Sequence, residues 1–270
     1  MKRGKKLILL ALVLALLVVG IWAVNGLKSE EAAGAVEEEA ETVEKTIFSL
    51  DPAAVQTLRW TYEGKTMTFD RIGDTWVFAM DPAFPVRPAA LDKMIEMLTD
   101  VKEEVFIGVQ EDLEQYGLAD AVIAVQVTTE QTQTILFGNT AKYGSSAYAM
   151  LEDGNIYLVD LAIPRALKKT LEDVVQVETL PNLAGSDLAG SNLSFATCAK
   201  YVMEESELAP YGLLEPQKVS VTCKDGTVLN LEFATGEDTY YYVRMTDSRL
   251  VYEITEAAYN KLVKLAGTEE

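Results

Sequence analysis

DLEQYGL at residues 112–118 and ELAPYGL at residues 207–213 end in the same Tyr-Gly-Leu triplet, and the distance between them sets the architecture. Outward from the triplets, Leu113 answers to Leu208, Met150 to Met245, Tyr157 to Tyr252, Asp160 to Thr255 and Leu167 to Leu262, each 95 positions apart. Between Leu118 and Met150 the offset drifts by one, because IAVQV (123–127) aligns with VSVTC (219–223), which places the length changes in turns. Self-similarity at a constant offset marks a duplicated structural unit.

Each triplet reads as architecture rather than as a binding site. A single helical turn over Leu113–Tyr116 needs a left-handed residue to stop it, Gly117 supplies one, and Leu118 then folds back onto Leu113. Leu208, Tyr211, Gly212 and Leu213 repeat the device. Tyr116 and Tyr211 are expected to lie against a sheet, hydroxyls reaching its edge.

Around the triplets each copy reads as strands followed by a helix. Ile123, Val125 and Val127 alternate, TILFG (134–138), SAYAML (146–151) and NIYLV (155–159) follow, and Glu152-Asp153-Gly154 marks a turn. The second copy has VSVTC, the turn Lys224-Asp225-Gly226, then VLNLEF, YYYVRM and LVYEI. Asp160 and Thr255 stand as helix caps before Ile163, Leu167 and Leu171 in one copy and Ala258, Leu262 and Leu265 in the other. A partial third relative comes first: LRWTYEG, KTMTFDR and DTWVFA, then PAALDKMIEML with Leu91, Met94, Ile95 and Leu98 on one helical face. The expected fold is α+β, with repeated antiparallel β-meander plus helix units behind an N-terminal transmembrane helix.

That helix is read from LILLALVLALLVVGIWAV, residues 7–24, eighteen residues without a charge. At about 1.5 Å per residue it reaches roughly 27 Å, enough to span a bilayer. The basic tail MKRGKK (1–6) precedes it, so the positive-inside rule puts the N-terminus in the cytoplasm and the remainder outside. A cleaved signal peptide would have a shorter apolar region. Residues 25–45, rich in Ala and Glu, read as an acidic tether, followed by a first α+β region at 46–177 and a second repeat at 178–270.

Composition narrows the chemistry. The chain has 23 basic and 42 acidic residues, a formal net charge of −19, and Lys2, Arg3, Lys5 and Lys6 all precede the apolar run. Such a surface repels nucleic-acid backbones. No histidine occurs, which removes Ser-His-Asp and Cys-His arrangements and His-based zinc motifs. No phosphate-binding loop, dinucleotide fingerprint or paired CxxC stands anywhere, so no cofactor, metal or catalytic residue is expected. The acidic turn residues Glu152, Asp153, Glu237 and Asp238 lack the density of a calcium loop and suit hairpins. Cys198 and Cys223 suit either a disulfide or two buried thiols.

The tyrosine run Tyr240, Tyr241, Tyr242 is the one candidate partner or ligand surface, since three consecutive strand residues cannot all point inward.

Taken together, the anchor and the motifs WTYEG, DTWVFA, FPVRPAALDKMIEML, DLEQYGL, ILFGN, SAYAM and NIYLVD resemble the bacterial family called domain of unknown function 4340, over about Leu50–Leu167 and again over Ala199–Leu265. The resemblance implies a membrane-anchored extracytoplasmic protein associated with exporter-type ABC transport systems, hence a partner such as a transporter permease and no catalytic residues to carry over. It departs at Arg87-Pro88, where family members commonly have an acidic residue. The expected function is thus a non-enzymatic accessory or scaffold protein of an ABC-type export system. The alternative is a cell-surface module binding wall glycan or peptide through the tyrosine-bearing sheet.

Overall fold

Alternation of buried and exposed side chains along the strands builds the molecule. The structure, a computed structural model, describes residues 45–142 and 144–267; the expected tail, anchor and nearly all of the tether lie outside these. Among the described residues no helix is long and apolar enough to cross a membrane.

The strands are β1 (Thr46–Ser49), β2 (Thr57–Tyr62), β3 (Lys65–Ile72), β4 (Thr75–Phe78), β5 (Asp100–Lys102), β6 (Val105–Val109), β7 (Ile123–Thr128), β8 (Thr132–Thr140), β9 (Ser146–Leu151) and β10 (Asn155–Asp160). After a long irregular stretch come β11 (Cys198–Tyr201), β12 (Gln217–Thr222), β13 (Val228–Thr235), β14 (Tyr241–Met245) and β15 (Leu250–Ile254). The α-helices are α1 (Pro88–Glu96), α2 (Ala162–Leu167) and α3 (Glu256–Ala266). An eight-stranded sheet runs β4-β3-β2-β7-β8-β9-β10-β6, a five-stranded sheet runs β11-β15-β14-β13-β12, and β1 pairs with β5. The pairings between these strands are antiparallel, as an α+β chain of hairpins requires.

Both meanders share one plan: an edge strand, a 3₁₀ turn ending in Tyr-Gly-Leu, four strands in sequence, then a helix, with the edge strand paired to the last strand. The register holds although the sequence offset wanders. Phe137, Ala149 and Tyr157 face one another across β8, β9 and β10, as Phe233, Val243 and Tyr252 do across β13, β14 and β15. All six belong to one buried apolar cluster that also takes in Trp60, Phe69 and Phe78 from the eight-stranded sheet.

Helix α1 follows from Pro88 at its first position and from Leu91, Met94 and Ile95, which are buried on one face. Arg87 ahead of the proline is extended, φ −95° and ψ 96°, as a pre-proline residue must be. Thr255 caps α3 by accepting the Ala258 N–H at 3.3 Å. Asp160 acts one residue earlier than its expected cap position: its carboxylate accepts the Ala162 N–H at 2.7 Å, and Leu161 takes the cap backbone position. Leu171 lies outside α2, which ends at Leu167 because Lys168 leaves helical dihedrals, yet its side chain still reaches the core.

The two sheets are joined by a polar clasp. The Tyr201 hydroxyl in β11 donates to Asp81, in the loop after β4, at 2.7 Å, and Arg249 pairs with the same carboxylate. Phe84 packs edge-on against Tyr201 with ring centroids 4.7 Å apart. The Tyr201 hydrogen bond, assisted by Arg249, holds the Asp81 carboxyl below its ordinary range.

Candidate functional site

The Tyr-Gly-Leu turns are structural joints. Gly117 has φ 66° and Gly212 φ 69°, both left-handed, and the N–H of Leu118 and of Leu213 reach back to the carbonyls of Leu113 at 3.0 Å and Leu208 at 3.2 Å. Each turn also lies hard against the end of a strand. A Cβ on Gly138 would collide with the Tyr116 carbonyl, and one on Gly212 with the Thr235 carbonyl. Tyr116 meets Tyr148 edge-on at 4.9 Å, and Tyr211 meets Tyr242 edge-on at the same distance. The turns thus cover the side of each meander facing away from the main core; Leu208, Leu213 and Tyr242 form a small cluster there with Val202, Ala234 and Val251.

That cluster changes the reading of the tyrosine run. Tyr242 is buried, 4% exposed, with its hydroxyl donating to Asp238 at 2.6 Å, and burial followed by that bond pushes its pKa up. Tyr241 is half-buried and stacks on Tyr259 of α3, centroids 4.4 Å apart. Tyr240 remains exposed at 57%. The run is therefore no three-residue platform: the strand's two faces are each occupied, one by the turn and one by the helix.

Cys198 and Cys223 are free, buried thiols on β11 and just after β12. Those are opposite edges of the five-stranded sheet, roughly 19 Å apart at about 4.8 Å per strand, beyond any disulfide. Burial pushes the Cys198 thiol up to about 12, which makes it unreactive. Among the described residues no group of carboxylates and thiols could hold a metal ion. Asp153 and Asp238 accept turn N–H groups, from Asn155 and Tyr240, each at 3.0 Å.

A different surface stands out. Strand β6 ends the eight-stranded sheet, with no described strand on its outer side. It carries Val105, Phe106 and Val109 at 48%, 58% and 68% exposure. An exposed apolar edge is normally blunted, because its unpaired backbone recruits other strands. Here carboxylates flank it: Glu103 and Glu104 before, Glu111, Asp112 and Glu114 after. One carboxylate oxygen of Glu103 is buried without a hydrogen-bond partner, and Ser146 donates to Glu104. Sequence reasoning missed this strand because VFIGV does not alternate and pairs only with a segment some 50 residues further on; the apolar run between acidic pairs was its one available signal.

The comparisons with known proteins bear on the middle of the chain. Residues 76–197 match the family described as Domain of unknown function (DUF4340). The DUF4340 match takes in β4, α1, β6, the first Tyr-Gly-Leu turn and the whole first meander, and it stops before β11. It begins later than the resemblance read from the sequence and does not include the second copy. No curated protein and no solved structure matches the chain.

Proposed function

We propose that this chain is a membrane-anchored, extracytoplasmic, non-enzymatic accessory protein that contacts a membrane partner, such as the permease of an ABC-type export system, through the edge of β6. The exposed apolar edge carries the reading, since a protein that merely fills space at the surface gains nothing from leaving Phe106 and Val109 open. The bound segment would be an extended strand of the partner with apolar residues at alternate positions and Lys or Arg at its ends. Backbone hydrogen bonds supply affinity in such strand addition, and the carboxylates on both flanks of β6 select basic ends. A second copy of β6 is disfavoured as occupant, because antiparallel pairing would set Glu103 and Glu104 against Glu111 and Asp112. The apolar run 7–24, its basic prefix and the absence of histidine support the anchored, non-catalytic parts of the reading.

The test uses the full-length protein in its native membranes, with a photo-crosslinking residue at Val109 or, separately, at Tyr240. Adducts with an integral membrane protein are expected from Val109 and not from Tyr240, and Phe106→Lys should abolish them. Adducts confined to Tyr240, or a self-adduct from Val109, would overturn the assignment; glycan recovered at Tyr240 would establish the wall-binding alternative.

A further inference from the structure

In a chain this acidic, three cations converge without carboxylate partners. Arg87, Lys93 and Lys169 line a cavity of about 400 Å³ together with Ala89, Ala90, Met94 and Ala166. The first of these, Arg87, donates to the backbone carbonyl of Asp173, and none of the three enters an ion pair among the described residues. The cavity lies where the start of α1 meets the end of α2, and α1 begins there with no side chain capping it. At the other end of the same helix pair the cavity lining is reversed in sign: Glu96, Asp100, Glu103, Glu104 and Asp160 with Lys102. The two cavities along this helix pair are thus lined by side chains of opposite sign.

We infer that the basic cavity binds a small phosphate-bearing ligand. A phosphate carries about −1 charge as a diester and about −1.5 to −2 as a monoester at neutral pH, which three cations can balance. The apolar part of the lining, Met94 and three alanines, accommodates the carbon skeleton to which the phosphate is attached. Size follows from electrostatics. The net charge of −19 repels a long polyanion along its whole length, whereas a small ester need only cross the screened outer layer, about 8 Å at physiological salt, before the local cations dominate. The phosphate could come from a soluble ester or from a lipid headgroup, and the experiment separates the two.

Full-length protein in detergent is titrated calorimetrically with inorganic phosphate and with glycerol 3-phosphate at constant ionic strength, and separately with vesicles of phosphatidylglycerol in phosphatidylcholine. Lys93→Gln and Lys169→Gln are the variants. Both side chains reach solvent, and the Lys169 carbonyl that accepts the Trp60 indole N–H at 2.8 Å is retained, so folding should survive and is checked by thermal denaturation. Saturable binding of either soluble phosphate, weakened about tenfold by each variant, is the expected result. Binding seen only with phosphatidylglycerol vesicles and lost in the double variant supports the same site with a lipid headgroup as source. No saturable response to any of these ligands, or a response the double variant leaves unchanged, would overturn the inference.

Discussion

The two meanders share a backbone plan, a core face and the Tyr-Gly-Leu turn, yet differ along the middle of the far face and at the open edge. Opposite the core, β7, β8 and β9 align Ala124, Leu136 and Met150 across the sheet, an apolar row. The row that crosses β12, β13 and β14 on that face is Lys218, Glu232 and Arg244, with Glu232 bridged to Lys218 at 2.9 Å and to Arg244 at 2.6 Å. The edges diverge in the same way. Phe106 of β6 and Cys198 of β11 both sit opposite the duplicated tyrosine, Tyr157 or Tyr252, but Phe106 is 58% exposed and Cys198 5%. Strand β11 is closed off by the segment before it, where Glu172 accepts the Tyr201 N–H at 3.3 Å. A core face constrains each side chain through close packing, whereas the far face and the edge are free to acquire salt links or a binding role.

Lysine placed at the two matched edge positions breaks the comparison most sharply. Cys198→Lys should cost about 4 kcal/mol or more in chemical denaturation, because it forces a long charged side chain into a closed, packed edge. Equal tolerance at both edges would show that β11 is open after all.

Next in size is the ionic row. Glu232→Ala should destabilise by about 2–3 kcal/mol, less than a fully buried pair because Lys218 is largely solvated. Importing the apolar row, as Lys218→Ala, Glu232→Leu and Arg244→Met together, should restore or exceed the original stability. The pH dependence separates the rows too. Burial opposes ionisation of Glu232, but Lys218 and Arg244 more than offset it and hold its carboxyl below the ordinary value of 4.5. A depressed carboxylate contributes stability that is full above the unfolded value and is lost as pH falls through the folded one. Acid unfolding below about pH 4.5 should therefore be shallower in the triple variant.

The glycine stops differ more finely. Gly212→Ala should cost about 2–3 kcal/mol, since it combines left-handed strain with a backbone collision at Thr235. Gly117→Ala should cost about 1–2 kcal/mol, because its new Cβ meets the Asn139 side chain, which can turn away. The smallest effect belongs to Phe106→Lys, expected within about 0.5 kcal/mol of the parent in thermal melts while partner crosslinking disappears.

Some of the molecule was legible residue by residue. Alternation at Ile123, Val125 and Val127, the spacing of Leu91, Met94 and Ile95 behind Pro88, and the turn at Asp225-Gly226 each depend on neighbours within a few positions, where local sterics and capping decide the outcome. Strands β1, β5, β6 and β11 were not legible, since each is short and owes its existence to a partner brought close by the rest of the fold. Among the site residues, Tyr240, Tyr241 and Tyr242 could be seen to differ in exposure but not in which way, because the turn at Tyr211 and the helix at Tyr259 that cover them lie elsewhere in the chain. By itself the sequence determined the duplicated strand-and-helix plan, the left-handed stops at Gly117 and Gly212, and a formal net charge of −19. Tertiary structure alone decided that β6 is open where β11 is closed, and that Arg87, Lys93 and Lys169 share a cavity, because both depend on distances between segments that no local propensity encodes.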